Sequence, residues 1–497
     1  MMTAHAISPE TRAALAEALR HHLPKQRWFG ARGRAIADVA IEDLIPCGDV
    51  DGCFIGVVRV VFGRAERDVL YQVPLLLGGT GDAPTVIATF SDGTRASDAT
   101  ASAAFRRAVA NAFAGSLEWR GETWRWHART VGDPATLQQL TDADSRTGSA
   151  EQSNTSLIFG RAAIAKLFRR IEIGHNPDAE MALALTRAGF RHVAPVLAVA
   201  TLEGPAGSAD AAVVQRFMKD SQDSWTWALA TARPTFSAAP SDREDAGAYV
   251  SEARRLGEVT RALHDALARV AEPDFGARPA RDEDVDGWVS SALQSIDIGL
   301  TRLDGALGRN ELPVNRQAEA KVLARRGDAY RDHVRALAEL VREDAGVLIR
   351  HHGDYHLGQV LRSSNGDLAI VDFEGEPARP LSDRRRHSSP LRDVAGMLRS
   401  FAYAAATLLA EVGDRLPLGV RELRGGRWER EVRRSFLAGY RFGDAGDLLP
   451  KSETAAAAAL ALFETEKAFY ELAYEIDNRP DWAWIPMRGI SKLLVQV

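Results

Sequence analysis

The alternation of apolar and polar positions changes character near residue 220. Before it, Pro9 to His22 repeats apolar residues at helical spacing, and the segments VVRVVFG and DVLYQVPLLL alternate as strands do. Residues 95 to 115 read as helix, Trp119 to Arg129 as strand, and TDADSRTGSAEQSNTS as a polar loop. Two apolar runs, one ending at Phe159 and one starting at Ala162, flank Gly160 and Arg161 and predict a β-hairpin. Beyond residue 222 the period lengthens to that of helices, in Ala248 to Ala266, Arg316 to Arg342 and Thr454 to Ile476, with one short β island between 359 and 373. The stretch Ala230 to Ser241 and the segment ARPARDED after Gly276 read as surface loops. The expected fold class is α+β and bilobal: segments 1–90 and 91–218 are mixed, 219–497 is mainly helical, and the junction near VVQRFMK leaves a cleft for a ligand.

Composition narrows the function. The chain has 497 residues, enough for more than one core, with 45% hydrophobic and 26% charged residues, so it folds as a globular protein. Its 62 basic and 67 acidic residues give a net charge of -5, which predicts no general attraction to nucleic acid or anionic membrane and favours a small-molecule substrate. Two cysteines, Cys47 and Cys53, cannot build a disulfide framework, and no leader-like or membrane-spanning run is visible, so a cytoplasmic protein is expected. Of the 62 basic residues 55 are arginines, which makes each of the 7 lysines informative.

The chemistry concentrates in HHGDYHLGQVLRSSNGDLAIVDFEGEP, from His351 to Pro377. Gln359 to Arg362 and Leu368 to Val371 read as two short strands joined by an Asn-Gly turn, which sets Asp354 and Gln359 before one strand and Asp372 after the other. Protein kinases use the same order: a catalytic Asp, a metal-binding amide five positions later, and a second Asp before Phe beyond a hairpin. A hydroxyl nucleophile needs a carboxylate to orient it and take its proton, which assigns Asp354 as base. Magnesium needs hard oxygen donors, which Gln359, Asp372 and Glu374 supply. A lysine on a strand of the first lobe must meet the ATP phosphates, and Lys166 in AAIAKLF fits, with Glu180 at the start of the next helix as its expected partner. Ser153, Asn154, Thr155 and Ser156 stand where a glycine-rich loop would lie and offer hydroxyls to phosphate, while Val214, Gln215 and Phe217 mark the segment that would read adenine.

These segments resemble the maltokinases, relatives of the aminoglycoside phosphotransferases. The resemblance runs through QRWFGARGR, EQSNTS, AKLFRRIEIGHNPDAE, VQRFMKDSQDSWTW, HGDYHLGQVL, DFEGEP, SPLRDVAGMLRSFAYA and KAFYELAYEIDNRPDW, in the family's order over most of the chain. It implies a protein-kinase-like, aminoglycoside-phosphotransferase-like fold with an N-terminal cap subdomain and a helical C-terminal lobe. It further implies ATP and magnesium as cofactors, transfer to the anomeric hydroxyl of maltose, and a place in α-glucan synthesis from trehalose, beside or in complex with trehalose synthase. The carry-over gives base to Asp354, metal to Gln359 and Asp372, and phosphate to Lys166. For the sugar, aromatic and planar groups late in the chain, Tyr474, Arg479 and Trp482, suit a disaccharide's rings and hydroxyls, whereas Trp28 and Phe29 read as packing residues. Two alternatives share the same core: a kinase for another sugar or aminosugar, such as glucosamine or an aminoglycoside, and an inactive pseudokinase scaffold.

Overall fold

The computed structural model describes residues 7–31, 33–63, 67–78, 86–148, 153–237, 247, 249–376, 379–413, 417–441 and 448–494. They form two compact units, Met1–Arg187 with Val193–Lys219, and Ala188–His192 with Asp220–Val497.

In the first unit the Pro9–His22 helix starts on a Ser8 cap whose hydroxyl accepts from Thr11 N at 3.1 Å, with Pro at the first helical position. Its fully buried Leu15 and Leu19 pack with Trp28, Phe29, Phe54 and Tyr71 over an antiparallel sheet in the order Asp38–Pro46, Cys53–Val61, Val69–Leu77, Arg95–Asp98, Val86–Thr89. Trp28 and Phe29 are packing residues, Phe29 stacking 5.2 Å from Tyr71. A second, seven-stranded antiparallel sheet runs Glu118–Arg120, Arg125–Thr130, Val196–Gly204, Gly207–Arg216, Ala163–Phe168, Asn154–Phe159, Ser145–Thr147. Gln72 ties the two sheets: fully buried, it donates its amide N–H groups to the carbonyls of Phe168 and Ala211 at 3.1 and 3.0 Å. The hairpin expected around Gly160 forms, with Gly160 at φ +52 and Lys166 paired in register between Ser156 and Val213.

The second unit is helical apart from a sheet of Ser221–Asp223, Val360–Ser363 and Leu368–Ile370, which includes the expected Asn-Gly hairpin, and a Arg278–Pro279 to Val347–Leu348 pair. Its long helices include Tyr249–Arg269, Asp282–Gly308, Gly327–Glu343, Leu391–Val412, Leu418–Arg441 and Glu453–Asn478.

Several boundaries differ from the sequence expectation. The stretch read as helix over 95–115 is a short strand followed by a helix from Ala103, capped by Ser102, because Arg95–Asp98 extends an existing sheet edge. The 119–129 strand is a hairpin of two, closed by stacked Trp119 and Trp126. The polar loop after Thr141 contains the edge strand Ser145–Thr147, whose one unburied face needs no apolar residue. Helix Ser224–Ser237 runs through part of the expected 230–241 loop despite Pro234, while 238–241 lies outside the described residues. The ARPARDED segment pairs through Arg278–Pro279 and starts a helix at Asp282, where Arg278 holds Asp284 through two 2.7 Å bonds. The 316–342 helix is broken between Ala324 and Gly327.

One close crossing holds the second unit together. A Cβ on Gly257 would lie 2.1 Å from the Phe436 carbonyl oxygen, and one on Gly439 1.9 Å from that of Arg254, so the Tyr249–Arg269 and Leu418–Arg441 helices touch backbone to backbone. Gly257→Ala forces them apart and should cost about 2 kcal/mol or more of unfolding free energy. Urea unfolding reads the loss directly, and an unchanged midpoint would contradict the crossing.

Candidate active site

The centre of the second unit is the turn His351–Asp354, and one buried carboxylate shapes it. Asp393, at the start of the Leu391–Val412 helix and 1% exposed, accepts from His352 N at 2.7 Å and Gly353 N at 2.9 Å and meets His264 Nε2 at 3.2 Å. Burial pushes its pKa up, but the His264 hydrogen bond and the surrounding imidazoles outweigh that and hold the carboxyl well below the usual range. His264 is itself oriented by the Tyr440 hydroxyl at 2.8 Å.

From this anchor the chain reaches the second acidic motif. His352 Nε2 donates to the Val371 carbonyl at 3.0 Å, and its ring lies 5.0 Å from that of Phe373. Val371 N in turn donates to the Gln359 carbonyl at 3.0 Å. Gln359 Nε2 donates to Asp372 Oδ2 at 3.0 Å, so the two expected metal ligands are in contact. Asp372 takes φ +67, a left-handed conformation that Asp tolerates at a modest cost and that such sites retain. A carboxylate oxygen of Glu374 lies within 4.8 Å of one on Asp372. Two carboxylates this close are hard-oxygen donors of the kind magnesium takes, and the Gln359 amide, which here turns its nitrogen to Asp372, would have to flip to add its oxygen. Gly353 and Gly375, at φ +85 and +70, let the two turns approach until a Cβ on Gly353 would stand 3.2 Å from the Gly375 Cα.

Asp354 does not face solvent alone. Lys467, on the Glu453–Asn478 helix, places Nζ 3.2 Å from Asp354 Oδ1 and 2.7 Å from Glu376 Oε1. Arg379 joins Glu376 at 2.7 Å and Glu466 at 3.2 Å, and Arg392 meets Glu466 at 2.8 Å, where Ser291 also donates at 2.7 Å. Charges therefore alternate away from Asp354, each buried ion offset by an opposite one. Burial alone would raise Glu376, yet Lys467 and Arg379 pull it down to about 2. A cavity of about 430 Å³ opens on these groups, walled by Asp354, Lys467, Tyr470, Phe463, Trp288 and Ser291 among others.

In the first unit Lys166 Nζ lies 3.0 Å from Asp178 Oδ2, with the two side chains 12% and 2% exposed. Asp178 is a partner beyond the expected Glu180: Asn176 caps the helix by accepting from Asp178 N at 2.9 Å, and both carboxylates stand in its first turn. Asn154, Thr155 and Ser156 are not a loop but buried strand residues, since they complete the ladder to Ala163–Phe168. Ser156 is the cross-strand partner of Lys166, whereas Thr155 accepts from Arg169 Nε at 2.8 Å, and Ser153 accepts from the Asn154 amide at 3.1 Å. Gln152 lies outside the described residues. Val214 and Gln215 sit inside a strand, Gln215 donating to the Ala194 carbonyl at 3.2 Å, and Phe217 N donates to the Ala162 carbonyl at 3.0 Å.

The late aromatic group forms a cluster of its own. Arg479 pairs with Glu475 at 2.6 Å and lies over the rings of Tyr474 and Trp482, at 5.8 and 5.1 Å. None of the three is in the cavity wall, which takes Phe463, Glu466, Lys467 and Tyr470 from that helix. The residues missed by sequence reasoning are Lys467, Glu376 and Asp393. Each had a trace, Lys467 as one of few lysines and the other two inside DFEGEP and SPLRDVAG, but their meaning depends on contacts across 40 to 113 positions.

His351, in the same wall, is pushed down to about 4 by burial. The unfolded chain binds this proton near pH 6.5 and the folded one does not until about 4, so stability is present above 6.5 and lost as pH falls through that window, by up to about 3 kcal/mol. Urea melts between pH 7 and 4.5 should show this slope in the wild type and a flatter one in His351→Gln. Equal slopes would remove His351 as the cause.

Comparison with known proteins bears on the fold. Residues 22–103 match the maltokinase N-terminal cap domain. A glucosamine kinase of Mycolicibacterium smegmatis is 26% identical over 356 residues, 71% of this chain and 80% of that protein. One from Streptacidiphilus jiangxiensis is 29% identical over 374 residues, 72% and 76% of the two chains. A solved glucosamine kinase in complex with glucosamine, ADP and inorganic phosphate superposes with a TM-score of 0.66 at 23% identity, over 97% of this chain and 99% of that one. The fold is thus that of the solved glucosamine kinase, with mixed sheets leading into a helical C-terminal part, and residues 22–103 are similar to the maltokinase N-terminal cap domain.

Proposed function

We propose that the protein is a kinase that moves the γ-phosphoryl group of ATP to a hydroxyl of a small sugar, with maltose as acceptor and maltose 1-phosphate as product. The observation that carries the reading is Asp354, a partly exposed carboxylate in the wall of a sugar-sized cavity, held by Lys467 on one oxygen and one hairpin away from the Gln359–Asp372 pair. The acceptor oxygen attacks the γ-phosphorus as the bond to the β-phosphate oxygen breaks; its proton passes to Asp354 and ADP leaves. Lys467 fixes Oδ1, and Oδ2, with His356 Nε2 4.0 Å away, takes that proton. Magnesium, when bound by Asp372, Glu374 and the Gln359 carbonyl, neutralises charge on the phosphates. Lys166, held by Asp178, serves the donor phosphates, with Ser156 beside it.

Maltose is favoured by the cap, and by a wall that mixes the rings of Trp288, Phe463 and Tyr470 with hydrogen-bonding side chains, as pyranose faces and hydroxyls require. Glucosamine is the second reading. It is favoured by the curated relatives and by the charge of the same wall, where seven carboxylates stand against five cations while burial lowers the pKa of His351 and His387, an excess that suits an ammonium group. Feeding of α-glucan synthesis and association with trehalose synthase would follow only from the first reading. Among the described residues no helix is long and apolar enough to cross a membrane, consistent with small polar substrates met in water.

Incubation with ATP, magnesium and each sugar, read by phosphorus NMR of the product, decides the acceptor: maltose 1-phosphate supports the reading, glucosamine phosphate alone replaces it, and no sugar phosphate refutes both. Asp354→Asn should lower kcat by about a thousand-fold with ATP binding retained. Lys467→Met should lower kcat by about a hundred-fold with the KM for ATP little changed, and Lys467→Arg should recover part of it. Wild-type turnover in either Asp354→Asn or Lys467→Met would remove that residue from the mechanism.

A further inference from the structure

Gly287 occupies the second turn of the Asp282–Gly308 helix, where glycine costs about 1 kcal/mol relative to alanine. Helices keep such a residue when another backbone comes too close for a Cβ or when φ is positive. Gly299, in the same helix, has the first reason: its Cβ would stand 2.9 Å from the Phe469 carbonyl oxygen. Gly287 has neither, since a Cβ there meets nothing within 4 Å and its φ is not positive. What distinguishes it is position. It is in the wall of the cavity that holds Asp354, and is itself exposed, as are Glu283 and Ser290 of that wall.

The distance from the reacting end can be followed residue by residue. Asp354 contacts Lys467, the residue before it on that helix is Glu466, and Glu466 accepts from Ser291 at 2.7 Å. Gly287 lies four residues before Ser291, one turn and about 6 Å along the helix axis. A group seated with its hydroxyl at Asp354 would reach Gly287 only through a portion remote from that hydroxyl. Trp288, whose ring meets Phe463 at 5.1 Å, lines the same cavity.

We propose that Gly287 is a specificity-determining residue, which keeps the rim of the cavity open for the second ring of the acceptor and so admits a disaccharide as well as a single pyranose. The inference rests on the sugar-kinase reading. It assigns the missing side chain a role that packing does not give it.

The test compares Gly287→Ala with Gly287→Phe, and with Gly287→Gln should the aromatic variant aggregate. Gly287→Ala adds one methyl group and should leave the KM for maltose within about two-fold while the melting temperature holds or rises. Gly287→Phe, or Gly287→Gln in its place, should raise the KM for maltose by about ten-fold or more, with kcat, the KM for ATP and the KM for one-ring acceptors such as glucose or glucosamine changed by less than about three-fold. A merely structural effect would move ATP and one-ring sugars equally, and that result, or an unchanged maltose KM, overturns the proposal. A wild-type enzyme that accepts one-ring sugars and never maltose also overturns it while leaving the kinase reading intact. A wild-type chain that transfers phosphate to no sugar removes the kinase reading, and this inference with it.

Discussion

The buried carboxylate of Asp393 is the constraint on which the second unit's centre depends. It accepts two consecutive backbone N–H groups, from His352 and Gly353, and fixes the turn that presents Asp354. Because His264 and Tyr440 hold it from behind, three helices share the task of orienting one turn. Replacing its charge would leave those amides without their ionic acceptor in a dry interior, a loss larger than that of an ordinary hydrogen bond. From the same turn His352 reaches Val371, which sets the position of Asp372 one residue on. The two halves of the acidic motif are therefore coupled through the His352 ring and the Val371 backbone.

A second constraint acts through the Glu453–Asn478 helix. Its Glu464, Glu466, Lys467, Glu471 and Glu475 are each paired, with Arg433, Arg392, Asp354, Arg399 and Arg479 respectively among their partners. Burying so many ions is costly unless each is matched, so the arrangement contributes geometry more than net stability. Lys467 shows what the geometry achieves. Its ammonium, held charged by Glu376 and Asp354 against burial, couples the candidate base to the residue just after the metal motif.

How far this was legible in the sequence depended on the range of the interactions. The order Asp354, Gln359, Asn365-Gly366, Asp372 is local, and turn chemistry alone sets its two strands correctly. The strand bearing Lys166 was equally plain from its alternation with buried alanines. The contact with Asp178 was not: Asp178 and Glu180 both occupy the first turn of one helix, and residue type alone does not say that Asp178 meets the lysine. Asn154 to Ser156 look like loop residues because they are polar, yet they pair as a strand, with Arg169 on the Thr155 hydroxyl and the Asn154 amide on Ser153. Tyr474, Arg479 and Trp482 were chosen for residue type, and they interact with each other one turn beyond the cavity wall. Lys467 is on the same helix as Tyr474, but nothing local distinguishes a lysine that meets the candidate base 113 positions away from one that meets water.

The most direct measurement is a crystal structure with maltose, magnesium and a non-hydrolysable ATP analogue. The account predicts the anomeric oxygen within about 3 Å of Asp354 Oδ2, with Lys467 still on Oδ1 and the metal on Asp372. A sugar seated away from Asp354, or a metal held without Asp372, would contradict it.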